Sequence, residues 1–303
     1  MLTTKKTLIT IVGPTAIGKT ALSIRLATNF KTEIISCDSR QFYKEMSIGT
    51  AVPSANELAS ATHHFIHNRS VFDSYSVGQF EKDVLKKLDL LFAKNNIVIM
   101  VGGSGLYVNA VLKGLDYFPE IDASIRKKLN QELQKNGLAV LKEQLKKVDI
   151  ESYKTIAIDN PQRVIRALEV SIGSNHPYSY YKNRPKSSRN FASIKIGLNA
   201  GREIIYNRIN QRVELMMRQG LLEEARKLYL HKHLNALQTV GYRELFSYFN
   251  EDYSLEFAIS EIKKNTRRFA KRQLTWFKKD KEIFWFDYQT DSKDINTFIN
   301  KKI

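Results

Sequence analysis

Residues 13–20 read Gly13-Pro14-Thr15-Ala16-Ile17-Gly18-Lys19-Thr20, which is the spacing G-x-x-x-x-G-K-T. Glycines let a backbone wrap around phosphate oxygens, and consecutive N–H groups at a helix start form an anion nest. Lys19 is placed to neutralise terminal phosphates, and the Thr20 hydroxyl to hold Mg²⁺. The octet follows a short apolar run, Leu8–Val12, and precedes Ala21–Phe30, whose apolar residues recur at helical spacing. That strand–loop–helix context is what separates a phosphate loop from an ordinary glycine turn. The stretch therefore binds a di- or triphosphate.

Four further groups could do chemistry. Asp38 opens the run Asp38-Ser39-Arg40-Gln41. It could be a Mg²⁺ ligand, a general base accepting a proton from an acceptor substrate, or a helix cap. The turn Gly102-Gly103-Ser104-Gly105 could bring backbone and the Ser104 hydroxyl close to a ligand, or it could simply be a tight strand-to-helix turn. The histidines of His63-His64-Phe65-Ile66-His67 are spaced H-H-x-x-H, but no companion Cys or His motif completes a zinc set, so they read as structural. Cys37, the only cysteine, ends an apolar run and reads as core.

The elements that must position these groups follow from periodicity. Thr32–Cys37 and Asn96–Val101 read as buried strands, each ending at a candidate group; carboxyl ends of parallel strands are where α/β proteins assemble sites. Ser76–Lys94 carries Phe80, Val84, Leu88, Leu91 and Phe92 on one helical face. Pro119–Ile172 reads as helical, punctuated at Asp159-Asn160-Pro161. Residues 173–190 have the composition of a loop, and Phe191–Leu198 resumes as a strand. The expected fold is α/β: a P-loop NTPase-like parallel sheet flanked by helices, with core segments 1–117 and 191–303 and an inserted helical subdomain at 118–190.

The C-terminal third reads as helical. Ile205, Ile209, Val213 and Met216 form one stripe, with Arg208 and Arg212 on another face. Over Ser254–Phe277, the residues Ile259, Ile262, Thr266, Phe269 and Trp276 trace an expected buried seam. Lys263, Lys264, Arg267, Arg268, Lys271 and Arg272 make a cationic face with few acidic partners, suited to a phosphodiester backbone.

Whole-chain properties narrow the class. The 303 residues are 43% hydrophobic, so the chain is globular, and its net charge of +17 points to a polyanionic partner, nucleic acid first. With one cysteine there is no internal disulfide. No apolar stretch approaches the ~20 residues of a membrane span, and Met1–Val12 leaves no room for a signal peptide, so a cytoplasmic protein is expected. Nothing requires a dimer, and a monomer is expected.

Together these residues resemble the tRNA dimethylallyltransferase (tRNA isopentenyltransferase) family, bacterial type. The matching stretches are Gly13–Thr20, Asp38–Gln41 with Ile48-Gly49-Thr50, and Gly102–Tyr107, then Asn160–Glu169, Gly220–Glu224, Val240–Glu244 and Thr266–Phe277. They occur in family order along nearly the whole chain. Ser104 stands where the family usually has threonine, which keeps the hydroxyl. The zinc finger of eukaryotic members has no counterpart motif here.

The resemblance implies transfer of a dimethylallyl group from dimethylallyl diphosphate to the exocyclic N6 amine of the adenosine beside the anticodon. The phosphate loop would hold the diphosphate with Mg²⁺ on Thr20. Asp38 would be the general base, because an adenine amine is a poor nucleophile, and Ser104 would lie beside the reacting carbon. Arg212 is a further candidate for the catalytic channel. Contacts to the tRNA anticodon stem-loop map onto Asp38, Ser39, Arg40, Gln41 and Ser104, and onto Gln162, Arg163, Val164, Ile165 and Arg166. Two alternatives stand beside it. An adenylate isopentenyltransferase using AMP, ADP or ATP would not need the insertion or the charge. A nucleic-acid-binding P-loop kinase or NTPase would be expected to end its third strand in Asp, where this chain has glycines.

Overall fold

A computed structural model describes residues 5–182 and 188–303. By internal packing the chain divides into two compact units, one running to Lys113 and resuming as Arg189–Ile303, the other Gly114–Ser188.

The first unit opens with β1 (Thr7–Val12), α1 (Lys19–Phe30), β2 (Ile34–Ser36), α2 (Ala55–Ser60), β3 (His63–His64), α3 (Val77–Phe92), β4 (Ile97–Val101) and α4 (Gly105–Lys113). The second unit holds α5 (Ala123–Val148), α6 (Ile150–Thr155), α7 (Pro161–Ser174) and α8 (Tyr178–Tyr181). The first unit then resumes with β5 (Ala192–Asn199), α9 (Arg202–Arg218), α10 (Leu221–Leu228), α11 (Tyr242–Phe249), α12 (Leu255–Phe277), β6 (Ile283–Asp287) and α13 (Ser292–Asn300).

Among the described residues the strands form one six-stranded sheet, ordered β3-β2-β4-β1-β5-β6, with every pairing parallel. A parallel sheet must be covered on both faces, and β1 shows it: all six of its residues are buried. Ile9 and Ile11 pack on one face with Leu22 and Leu26 of α1, Ile205 and Ile209 of α9, and Ile295 and Ile299 of α13. Leu8 and Val12 pack on the other with Phe80 and Val84 of α3 and Val108 and Val111 of α4. Alternation along one strand thus divides the core. Helix α3 begins where its sequence says it should: the Ser76 hydroxyl accepts from the Gln79 amide, and the five residues of its expected apolar face are buried.

Two strands differ from expectation. β3 is only two residues long and falls within the histidine cluster, too short to leave a periodic signal. β6 lies in the C-terminal third, which reads as helical in sequence. Its run Ile283-Phe284-Trp285-Phe286-Asp287 pairs with β5 at the sheet edge, where aromatic residues suit a partly covered strand.

In the second unit, the expected helical stretch is broken further. Gly137 at φ 77° interrupts α5, and the Asn160 side chain starts α7 by accepting from the Gln162 and Arg163 amides with Pro161 in the first turn. Of residues 173–190, expected as a loop, 183–187 lie outside the described residues. Before them α8 forms, anchored because buried Asp149 accepts from the Ser179 amide at 2.8 Å and from its hydroxyl at 2.9 Å. Val164 and Ile165 are fully buried in this unit's own core beside Leu129, Leu141 and Leu168.

Candidate active site

Three neighbouring strands bring the first candidates together. At the carboxyl ends of β2, β4 and β1 stand Asp38, the Gly102–Gly105 turn and the phosphate loop. Close approach explains the glycines. Gly13 sits at φ 146°, and a Cβ there would meet the Leu198 carbonyl oxygen of β5 at 2.5 Å. At Gly102 a Cβ would meet the Cys37 carbonyl oxygen at 2.3 Å, so the turn after β4 presses against the chain leading into Asp38.

Gly18, at φ 108°, precedes α1, and no side chain caps that helix, leaving its first-turn amides for an anion. Lys19 Nζ lies back over the loop, donating to the carbonyls of Gly13 at 3.1 Å and Pro14 at 2.7 Å. Burial, reinforced by the Arg212 guanidinium and opposed by Asp38, lowers the Lys19 pKa to about 7. Two arginines of α9 support the loop: Arg208 Nε donates to the Ala16 carbonyl at 2.7 Å, and Arg212 to the Thr15 hydroxyl at 3.4 Å. Burial and the neighbouring Arg208 press the Arg212 pKa down.

One oxygen of the Asp38 carboxylate accepts from the Arg40 amide at 3.0 Å within a turn, and no helix starts there for it to cap. Ser104 Oγ accepts from the Ser39 amide at 3.1 Å and lies 3.2 Å from the Ser39 hydroxyl, tying the glycine turn to the Asp38 segment. Gln41 is engaged internally: its Nε2 donates to the carbonyls of Thr50 and Ala51, and its Oε1 lies 3.1 Å from the Ser36 hydroxyl. Burial, with Asp38 alongside, holds the Cys37 thiol well above its usual pKa, in keeping with a core residue rather than a nucleophile.

These groups line a cleft with two lobes. A polar lobe of about 810 Å³ holds the phosphate loop with Lys19, Thr20 and Asp38. An apolar lobe of about 400 Å³ is walled by Leu106, Val213, Met216, Val240, Phe269 and Trp276, with Arg40 and Ser104 at its edge. Thr15, Asp38, Gly103, Arg212, Phe269 and Gln273 line both, so Asp38 and Arg212 stand where the lobes join.

The outer wall, residues 47–51, is shaped from inside. The Glu224 carboxylate accepts from the amides of Ser47, Ile48 and Gly49 at 2.8–2.9 Å and from the Tyr242 hydroxyl at 2.7 Å. Gly49 lies so close to the buried Tyr242 ring that a Cβ would meet it at 2.6 Å. The Glu224 and Tyr242 stretches therefore meet at one wall, which their sequence separation conceals.

Two expectations are corrected on α12. Phe269 and Trp276 are not in a buried seam but face the apolar lobe; the buried positions are Ala258, Ile262, Ala270, Gln273 and Phe277. The cationic face also has acidic partners: Lys263 pairs with Glu214, and Lys264 with Glu261 at 2.7 Å. Among the described residues no ion pair holds Arg268, Lys271 or Arg272, which are exposed. The three histidines do not converge: His64 meets the Glu33 carboxylate at 2.6 Å, His67 the Ser47 hydroxyl at 3.2 Å and His63 the Ala61 carbonyl at 2.8 Å.

In the second unit, Gln162 and Arg163 are exposed on α7, whereas Arg166 is half-buried and pairs with Glu169 at 2.9 Å. Val164 and Ile165, expected at an RNA interface, are core residues with side chains unable to reach one. They sit between exposed Arg163 and half-buried Arg166 because one face of α7 packs inward.

Among the described residues no three His, Cys, Asp or Glu side chains gather as a metal-binding group. The Thr20 hydroxyl beside an anion nest nevertheless suits Mg²⁺, which keeps several waters and takes substrate phosphate oxygens rather than an all-protein cage.

A glycine loop before a helix, at the carboxyl edge of an all-parallel sheet, defines a P-loop NTPase-like protein. Residues 41–280 match the family described as IPP transferase, and the chain belongs to that family. A tRNA dimethylallyltransferase of Flavobacterium johnsoniae is 61% identical over 300 residues, 97% of each chain. One of Cytophaga hutchinsonii is 45% identical, over 98% of each. Among solved structures, the tRNA isopentenylpyrophosphate transferase of Bacillus halodurans superposes with TM-score 0.74 at 36% identity, covering 98% of this chain and 97% of its own. A eukaryotic dimethylallyltransferase described as acting on tRNA gives TM-score 0.81 at 25% identity, covering 98% of this chain and 80% of that one. Among the described residues no helix is long and apolar enough to cross a membrane.

Proposed function

We propose that this chain transfers the dimethylallyl group of dimethylallyl diphosphate to the exocyclic N6 amine of the adenosine adjacent to the anticodon in tRNA. The observation that carries the reading is the junction of an anion-binding lobe with an apolar one at Asp38. A prenyl diphosphate has the same two halves. Its diphosphate suits the first-turn amides of α1 and Lys19, and its five-carbon group suits the wall of Phe269, Met216 and Trp276.

The bond between the prenyl carbon and the diphosphate oxygen breaks as the N6–carbon bond forms. The electron pair leaves with diphosphate, where Lys19 and Arg212 meet the growing negative charge. The amine proton passes to the Asp38 carboxylate. Mg²⁺, held through Thr20, would supply further charge neutralisation on the diphosphate. Arg212 and Ser104 border the reacting carbon. An adenine reaching this depth must leave its stack, which suits a base splayed from a single-stranded loop. Arg40, Gln162, Arg163 and Arg166 are the side chains offered to the anticodon stem-loop, with Arg268 and Lys271 for backbone phosphates. The cleft described above is lined by one chain, which fits a monomer, and a tRNA substrate fits a cytoplasmic protein.

The test is incubation with labelled dimethylallyl diphosphate, Mg²⁺ and unmodified tRNA, with AMP and ATP as parallel acceptors. Label is expected in tRNA, falling steeply as salt is raised. Label only in AMP or ATP would replace this reading with adenylate prenylation, and ATP hydrolysis without prenyl transfer would replace it with an NTPase.

A further inference from the structure

Gln273 is the polar residue at the centre of an otherwise apolar buried face of α12, 6% exposed, and both ends of its amide are used. Oε1 accepts from the Thr15 backbone amide of the phosphate loop at 2.8 Å, and Nε2 donates to the Gly103 carbonyl at 3.0 Å. A Cβ on Gly103 would lie 2.2 Å from Nε2, so the glycine admits this side chain. Three turns of backbone, after β1, after β4 and after β2, must hold one geometry for transfer. Ser104 already ties the second to the third through Ser39. From this geometry we infer that Gln273 is a positioning residue, the strut that fixes the phosphate loop against the Ser104 turn and so sets the leaving group's distance from Asp38.

The residue occupies the backbone amide of Thr15, which lines both lobes of the cleft. In the ligand-free protein the amides left for the diphosphate therefore begin after Thr15. Only a side chain with an acceptor and a donor on one planar group spans both partners. Glutamine meets that demand; glutamate meets it only when protonated, with its carbonyl toward Thr15 and its O–H toward Gly103. An ionised carboxylate there would face the Gly103 carbonyl with no proton between them.

This inference rests on the transferase reading above, and two measurements separate their failures. Hydrogen exchange of the ligand-free chain needs no reaction: Gln273→Met is expected to speed exchange of the Thr15 amide at least tenfold, while amides of the β1 core keep their rates. In the tRNA assay, the same variant should lose about 10–100-fold in kcat, the scale of a small misplacement, with KM for the donor changed less. Gln273→Glu serves as the conservative variant. Its activity relative to the parent should recover as pH falls through the introduced carboxyl's pKa, a dependence that a merely space-filling role would not show. Unchanged Thr15 exchange in Gln273→Met, or a flat pH ratio in Gln273→Glu, would overturn the inference. If Gln273→Met does not fold, the Gln273→Glu ratio decides alone. Absence of any prenyl transfer by the parent chain, with Thr15 exchange altered as expected, would sink the functional reading and leave the strut standing.

Discussion

Within the polar lobe of the cleft one run of consecutive residues, Thr15 to Ala21, offers backbone amides at a helix start, whereas the apolar lobe is gathered from side chains between Leu106 and Trp276. An anion needs N–H groups in a fixed curve, and only certain residues at certain spacings give that curve. A prenyl group needs nothing but apolar surface, which many residues can supply. One half of the proposed donor site is therefore specified by local sequence, and the other by side chains gathered from α4, α9 and α12. Substitutions should separate the halves.

The largest effect belongs at their junction. Asp38→Ala is expected to cut turnover about 10²–10⁴-fold, the usual weight of a general base, while tRNA affinity stays within a few-fold. A variant within a few-fold of the parent in kcat would remove the base from the mechanism. In the polar lobe, Lys19→Met should lower kcat/KM for the donor about 10²–10³-fold, the scale of one lost charge-stabilising donor, and weaken inorganic diphosphate as an inhibitor. The same substitution should stabilise the ligand-free fold. Lys19 titrates near pH 7 when folded and near 10.5 in its unperturbed state, so between those values the unfolded chain holds more protons and stability rises with pH. Thermal denaturation should find Lys19→Met ahead of the parent at pH 7 and below, the gap closing toward pH 10.5.

The apolar lobe should respond differently. Trp276→Ala is expected to raise KM for dimethylallyl diphosphate about tenfold, in line with losing part of the prenyl group's burial, and to leave inhibition by inorganic diphosphate unchanged. Equal loss of both ligands would collapse the distinction between the lobes. The smallest effect lies outside the cleft: Arg268→Ala or Lys271→Ala should raise KM for tRNA a few-fold and lower the salt slope by about one, without touching donor KM.

How legible each part was follows from the same difference. Gly13–Thr20 is legible because its chemistry demands local spacing, and the strands leading to it and to Asp38 announce themselves as apolar runs rich in β-branched residues. Trp276 and Phe269 look, in sequence, like further members of a buried seam; helical periodicity reports a face, not whether that face meets core or cavity. Gln273 did leave a signal, a polar residue amid a buried face, but nothing local names Thr15 and Gly103 as its partners. In Gln162–Arg166 the motif implied by the resemblance is contiguous in sequence but not in surface, because the helix turns Val164 and Ile165 inward.

The order of the sheet also bears on how the chain is made. β1 leaves the ribosome before β4 and β5, yet it sits between them, pairing Thr7 with Ile97 on one side and with Ala192 on the other. Until residues beyond 192 emerge, one edge of β1 is open, and the Gly13 turn lacks the Leu198 carbonyl against which it packs. A nascent chain thus carries its Gly13–Thr20 turn without that support through much of synthesis, with a bare apolar strand edge of the kind chaperones cover. A turn translated before its packing partners takes its final form only after them.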